Sequence, residues 1–167
     1  MYLDEFYDYK NQLMDDLLTN DTILKLLSDD GISTVNPEDL MYKQVFPYEY
    51  VPETIEHGQT YICCDVDVTA TRNSTFISPT LYVWIFTHKS KLRLPQGGVR
   101  VDRLASEIDK ELNGSRYYVL GELNLDSARR FAPTLDYQGK VLVYSGKEFN
   151  RVNPTGKTIP ANRKRGQ

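Results

Sequence analysis

Residue types that carry chemistry are scarce in this chain of 167 residues. It contains two cysteines, two histidines and one tryptophan. No apolar run approaches the roughly 20 residues that span a membrane. Cys63 and Cys64 are adjacent, and neighbours in a strand point to opposite faces, so they cannot easily pair with each other. The acidic N-terminus lacks the apolar segment of a signal peptide. We therefore expect a cytosolic protein with reduced thiols and no membrane anchor.

The few candidate catalytic residues lack partners at a useful spacing. His57 and His88 have no Cys or His partner at zinc-site spacing. Asp65 and Asp67 share one face of a predicted strand and could bracket a hard cation, but no third acid supports them. Residues 95–98 lack the lysine and the first glycine of a phosphate-binding loop. We predict no enzyme, no metal and no cofactor.

Positive charge is scarce in the first third of the chain. Residues 1–59 carry 13 acids and three bases, whereas the remainder carries 17 bases and 10 acids. A chain with opposite poles can stack on copies of itself or bind a polyanion. The charged residues that we expect at such contacts are Asp8, Asp15, Asp16, Arg129, Arg130, Arg151, Lys157, Arg163, Lys164 and Arg165.

The N-terminal part of the chain predicts two helices and a long loop. Apolar residues recur at helical steps over residues 3–19, at Phe6, Tyr9, Leu13 and Leu17. Residues 19–21 offer N-caps for a short second helix, which we expect to end near Gly31. Three prolines in residues 32–58 remove donors that a sheet would need, so this segment predicts an extended loop with at most short strands.

The middle of the chain predicts a hairpin. Residues 59–69 alternate between an apolar and a partly charged face, which indicates a strand of an antiparallel sheet. Residues 80–88 are apolar on both faces, so they predict a central strand that is covered on each side. We expect these two strands to pair through a turn at 72–74.

The last predicted elements are a helix and two strands. Residues 99–113 have a clear apolar stripe, and we expect Trp84, Ile85 and Leu104 to be buried where this helix covers the central strand. Strands are predicted at 117–125 and 141–144, with a loop over 126–138 that carries Arg129 and Arg130.

The order α-α-β-β-α-β-β predicts an α+β fold. We expect one mostly antiparallel, four-stranded sheet with helices packed on it, in a single domain over residues 1–149 that includes the loop at 32–58. Residues 150–167 have no apolar periodicity and five bases, which predicts a flexible basic C-terminal arm.

Four segments resemble structural proteins of bacteriophages with Gram-positive hosts. They are residues 11–18 (NQLMDDLL), 46–53 (FPYEYVPE), 81–89 (LYVWIFTHK) and 100–109 (RVDRLASEID). With the order of elements over residues 3–149, they make the chain similar to tail-terminator and neck proteins of long-tailed phages.

The resemblance implies a ring, commonly of six copies, at the head–tail junction of the virion. Its partners would be copies of itself, neighbouring neck and tail-tube proteins, and DNA in the channel through non-specific contacts. No catalytic residue or cofactor is implied. Two other classes stay open, namely a DNA-binding accessory domain that uses the basic C-terminal half and a small metal-dependent hydrolase built on Asp65 and Asp67.

Overall fold

The computed structural model describes residues 5–28, 36–51, 58–71 and 75–150. In this part of the chain the fold is α+β, with three α-helices and a mixed sheet of six strands. The helices are α1 (Glu5–Thr19), α2 (Asp21–Leu27) and α3 (Arg100–Leu112). The strands are β1 (Val45–Phe46), β2 (Thr60–Thr71), β3 (Phe76–His88), β4 (Asn124–Phe131), β5 (Tyr137–Ser145) and β6 (Glu148–Phe149).

The sheet has the order β1-β2-β3-β5-β4, and β6 also pairs with β3. The four long strands pair antiparallel with one another, as predicted, while β1 pairs parallel to β2. Strand β6 keeps the register that β5 makes with β3, after an interruption at Gly146 and Lys147. Strand β1 lies in the segment 32–58, where the prediction allowed at most short strands, and the prediction missed β6 because two residues are too few to show a period of two.

The two N-terminal helices form where the spacing predicts them. Buried apolar residues of α1 include Leu13, Met14, Leu17 and Leu18. The Asn20 side chain caps α2 by accepting hydrogen bonds from the Thr22 and Ile23 amides. Helix α2 ends at Leu27, and Gly31 lies outside the described residues. No helix in the described ranges is long and apolar enough to cross a membrane.

Helix α3 also forms where predicted. Gly97 and Gly98 have φ angles of 93° and 89°, which suit glycine, and they form the turn that precedes the helix. The helix ends at Asn113 and Gly114, as its pattern indicates.

A large apolar core lies between the helices and one face of the sheet. Ile62, Val83, Ile85 and Leu104 are fully buried in it. A smaller aromatic cluster lies on the opposite face, near the start of β2, and is formed by Phe46, Tyr61, Cys63, Phe86 and Tyr137. The two strands of the predicted hairpin pair as expected, and the central strand β3 is covered on both faces at this end of the sheet.

Trp84 does not lie under α3, which corrects the prediction. Ile85 and Leu104 are 0% exposed, as expected. Trp84 is half-buried on the other face, where its ring stacks on Tyr82. Because consecutive strand residues alternate, Trp84 and Ile85 cannot both face the helix.

The third long strand is displaced from its predicted position. The prediction placed it at 117–125, but β4 begins at Asn124 and occupies much of the expected loop at 126–138. Strand β4 is an edge strand with mostly exposed side chains, so its sequence lacks an apolar alternation. The apolar residues at 118, 119 and 123 are instead buried in an irregular segment.

Candidate functional site

The acidic residues predicted at a contact have different environments on α1. Asp8 and Asp15 are exposed. Asp16 is half-buried, and its carboxylate accepts a hydrogen bond from the hydroxyl of Tyr118. Asp16 is therefore engaged within the fold, whereas the side chains of Asp8 and Asp15 are exposed to solvent.

Asp15 contributes to a surface depression of about 520 Å³ where α1, α2 and the 3₁₀ turn Pro37–Asp39 meet. Leu18 is buried in it, and Leu24 and Met41 are half-buried. We call it the acidic depression, and its described lining is Asp15, Leu18, Thr19, Asp21, Leu24, Pro37, Glu38 and Met41. Three of these residues carry carboxylates and none carries a positive charge.

The sequence reasoning did not find this depression. Pro37 at the start of a turn, followed by two acids, is a helix-start pattern that could have placed the 3₁₀ turn. Its packing against α1 depends on tertiary contacts that no local pattern encodes.

An apolar residue projects at the connection between β4 and β5. Leu135 is 95% exposed, the highest value among the described large apolar residues. The next residue is held in place, since the Lys89 amide donates to the Asp136 carbonyl at 2.8 Å and the Lys89 ammonium pairs with the Asp136 carboxylate. The hydrogen bond from the Lys89 side-chain ammonium lowers the pKa of the Asp136 carboxyl. We call residues 132–136 the hairpin tip.

Arg129 and Arg130 lie on β4, close to the hairpin tip, and not in a loop as predicted. Both are exposed, and they point to opposite faces because they are neighbours in a strand. Arg130 donates a hydrogen bond to Gln138 Oε1 at 2.9 Å. Neither forms an ion pair within the described ranges. The other predicted contact residues, Arg151, Lys157, Arg163, Lys164 and Arg165, lie outside the described residues.

The face of the sheet remote from the helices is partly open. Tyr82 and Trp84 stack there with ring centroids 5.5 Å apart, and both are half-buried. Val141 and Val143 extend this surface across β5. None of the described helices packs on it. We call it the open sheet face.

Most of the candidate catalytic groups that the structure describes are engaged within the fold, whereas Asp67 is exposed. The Asp65 carboxylate pairs with Lys10 Nζ at 3.0 Å, so it is less available to a cation. Cys63 and Cys64 are 0% exposed, and burial raises the pKa of the Cys63 thiol to about 12. His88 interacts with Ser90, and His57 lies outside the described residues. No group of three potential metal ligands occurs in the described ranges. That the protein is not an enzyme stays a prediction.

A comparison with known protein families assigns the chain to a family. Residues 20–145, more than half of the sequence, match the YomW family model. The chain therefore belongs to the YomW family. YomW is a protein of the SPbeta phage region of Bacillus. The curated proteins give no match.

Proposed function

We propose that this protein is a structural component of the phage neck that assembles into a ring at the head–tail junction. The role that we favour is a tail terminator or head–tail joining protein, with six copies in the ring and no catalytic activity. Its family supports a phage origin. The observation that carries the ring is the pair of dissimilar surfaces, the acidic depression and the hairpin tip, at different edges of the molecule.

The sheet topology separates these two surfaces. The 3₁₀ turn of the acidic depression leads into β1, the first strand of the sheet order. The hairpin tip joins β5 to β4, which is the last strand. A contact between two different patches of one molecule is heterologous, and it generates a closed ring when the rotation permits. Two separate patches suit a subunit of such a ring, and on this ground we propose that the fold is of the tail-terminator type.

Two other parts of the chain suit neighbouring layers of the neck. The open sheet face presents Tyr82 and Trp84, and aromatic residues are enriched at protein interfaces. The basic segment 150–167 suits an acidic protein surface or DNA in the channel. We propose that it binds a neighbouring copy, because acids of the same chain are available at matching stoichiometry. These partners place the protein in the virion, and in the host cytoplasm during assembly.

The test is to determine the assembly state and the location of the protein. Native mass spectrometry and negative-stain microscopy over a range of concentrations should reveal rings. Proteomics of purified particles should detect the protein in the virion. A protein that is monomeric at every concentration and absent from particles would contradict the proposal.

A DNA-binding accessory role is the second candidate. Arg129 shares the open sheet face with Trp84. A positively charged side chain beside an aromatic ring suits the binding of single-stranded nucleic acid. Asp67 is exposed on the same face, and its negative charge would repel the phosphates of a nucleic acid. DNA affinity that falls steeply with salt would favour this candidate over the ring. Metal-dependent hydrolysis that is lost in Asp65→Ala would favour the third class, a small hydrolase.

A further inference from the structure

We infer that the hairpin tip of one copy inserts Leu135 into the acidic depression of a second copy. This inference rests on the proposed ring and names the surfaces that would form it. It concerns described residues alone and does not need the basic segment 150–167.

The hairpin tip has the properties of an anchor. Leu135 is 95% exposed, so its side chain has almost no contact with its own chain. Its neighbour Asp136 is fixed to Lys89 by a backbone hydrogen bond and an ion pair. The Asp136 amide also donates to Thr134 Oγ1 at 3.3 Å. Because the tip is held before binding, little conformational entropy is lost when Leu135 is buried.

The acidic depression has room and an apolar floor for such an anchor. Its volume of about 520 Å³ lies within the range of about 300–1,000 Å³ found for binding pockets. Leu18, Leu24 and Met41 present aliphatic surface inside it. Burial of a leucine on such a floor removes apolar area of both copies from water.

The charges around the two surfaces are complementary. Arg129 and Arg130 lie on opposite faces of the hairpin beside the tip, and neither has an ion pair in the described ranges. The rim of the depression carries the exposed carboxylates of Asp15, Asp21 and Glu38. Exposed charges of opposite sign steer association and fix register, and their effect falls with ionic strength. A second copy of this chain therefore fits the depression in both shape and charge.

A single copy cannot satisfy both surfaces by itself. The depression lies beside the segment that leads into β1, whereas the tip extends from the β4 and β5 strands at the opposite edge. A dimer made by one such contact leaves one tip and one depression vacant. Further copies add until the assembly closes, which is the behaviour of a heterologous interface.

Two surface variants test the inference by mixing. Leu135→Asp removes the anchor, and Glu38→Arg reverses charge at the rim, so we expect each to weaken self-association at least about tenfold. An equimolar mixture of the two should form one-to-one dimers and no rings, because only one intact contact is left. Leu120→Asp and Asp126→Arg are matched controls, since both residues are exposed and lie outside the two surfaces. They should assemble like the wild type.

Disulfide trapping gives a second measurement. The double variant Leu135→Cys/Glu38→Cys should form a ladder of covalent multimers under mild oxidation, and neither single variant should form one. The native thiols do not compete, since Cys63 and Cys64 are 0% exposed. The ladder should be present in purified protein at the concentrations where the wild type associates.

The outcomes separate this inference from the proposed function. Rings of Leu135→Asp that form like those of the wild type would overturn the inference and leave the ring intact. Normal self-association of Glu38→Arg, with loss of its incorporation into particles, would overturn it and assign the depression to another virion protein. A monomeric wild type overturns the inference, and it also overturns the proposed function if the protein is absent from particles.

Discussion

The hydroxyl of Tyr118 donates a hydrogen bond to the carboxylate of Asp16, which lies 102 positions earlier in the chain. The Tyr118 ring also packs edge-on against the ring of Tyr9, which lies on α1 together with Asp16, with ring centroids 5.4 Å apart. These contacts attach the irregular segment between α3 and β4 to α1. They explain why a stretch rich in apolar residues is buried here without forming a strand.

We expect Tyr118→Phe to destabilise the fold by about 1–2 kcal/mol, because it removes a partly buried hydrogen bond to a charged acceptor and keeps the ring. The free energy of unfolding from urea titrations measures the effect. Tyr117→Phe is the matched control, since Tyr117 is 69% exposed and its hydroxyl accepts a hydrogen bond from the exposed Gln12 side chain. It should change stability by less than about 0.5 kcal/mol. Equal effects of the two variants would contradict this account.

A second prediction concerns the cap of α2. Asn20 accepts hydrogen bonds from two backbone amides and also donates to Glu111, so Asn20→Ala should cost about 1–2 kcal/mol. Asn36 stands at the same position before the 3₁₀ turn but makes no side-chain cap bond. Asn36→Ala should therefore leave the unfolding midpoint nearly unchanged. If both variants unfold at the midpoint of the wild type, the cap does not stabilise α2.

Local patterns predicted the elements whose burial follows a regular period. The apolar stripe of α3 and the alternation in β2 both correspond to buried faces in the structure. Asn20 could be recognised as a cap from its side-chain chemistry alone. These features depend on neighbours in sequence, which is why the residues alone indicate them.

Features set by tertiary contacts could not be predicted in this way. Strand β4 has mostly exposed side chains and no apolar pattern of its own, so only its pairing with β5 makes this segment a strand. The acidic depression requires three separate elements to meet. Leu135 is exposed next to Asp136, which pairs with Lys89 from another part of the chain, and no spacing rule in the sequence indicates that exposure.

The buried thiols give a third prediction. Cys63 and Cys64 are 0% exposed, and burial raises the pKa of both, to about 12 for Cys63. Since the thiolate is the reactive form, both should fail to react with Ellman's reagent in the native protein and react fully in denaturant. Rapid modification of either thiol at pH 8 without unfolding would show that the strand is more open than described.

The last prediction is a loss of stability at alkaline pH. Burial, followed by the charge of Asp109, raises the pKa of Tyr144, and burial followed by the hydrogen bond to Asp16 raises that of Tyr118. A raised pKa means that the folded protein retains a proton that the unfolded chain releases. This contribution to stability is complete below the unfolded value of 10.0 and is lost as the pH rises above it.

Tyr144 is 0% exposed, so above pH 10 it should reduce the free energy of unfolding by about 1.4 kcal/mol for each pH unit. Urea titrations from about pH 8 to about pH 11 bracket the ordinary tyrosine pKa. Over this range the free energy of unfolding should show a plateau and then a decline. Tyr144→Phe cannot ionise at this position, so its decline should be shallower than that of the wild type, although its stability on the plateau is lower. Parallel declines in the two proteins would mean that Tyr144 ionises equally in the folded and unfolded states, and the packing of this residue against Asp109 would have to be revised.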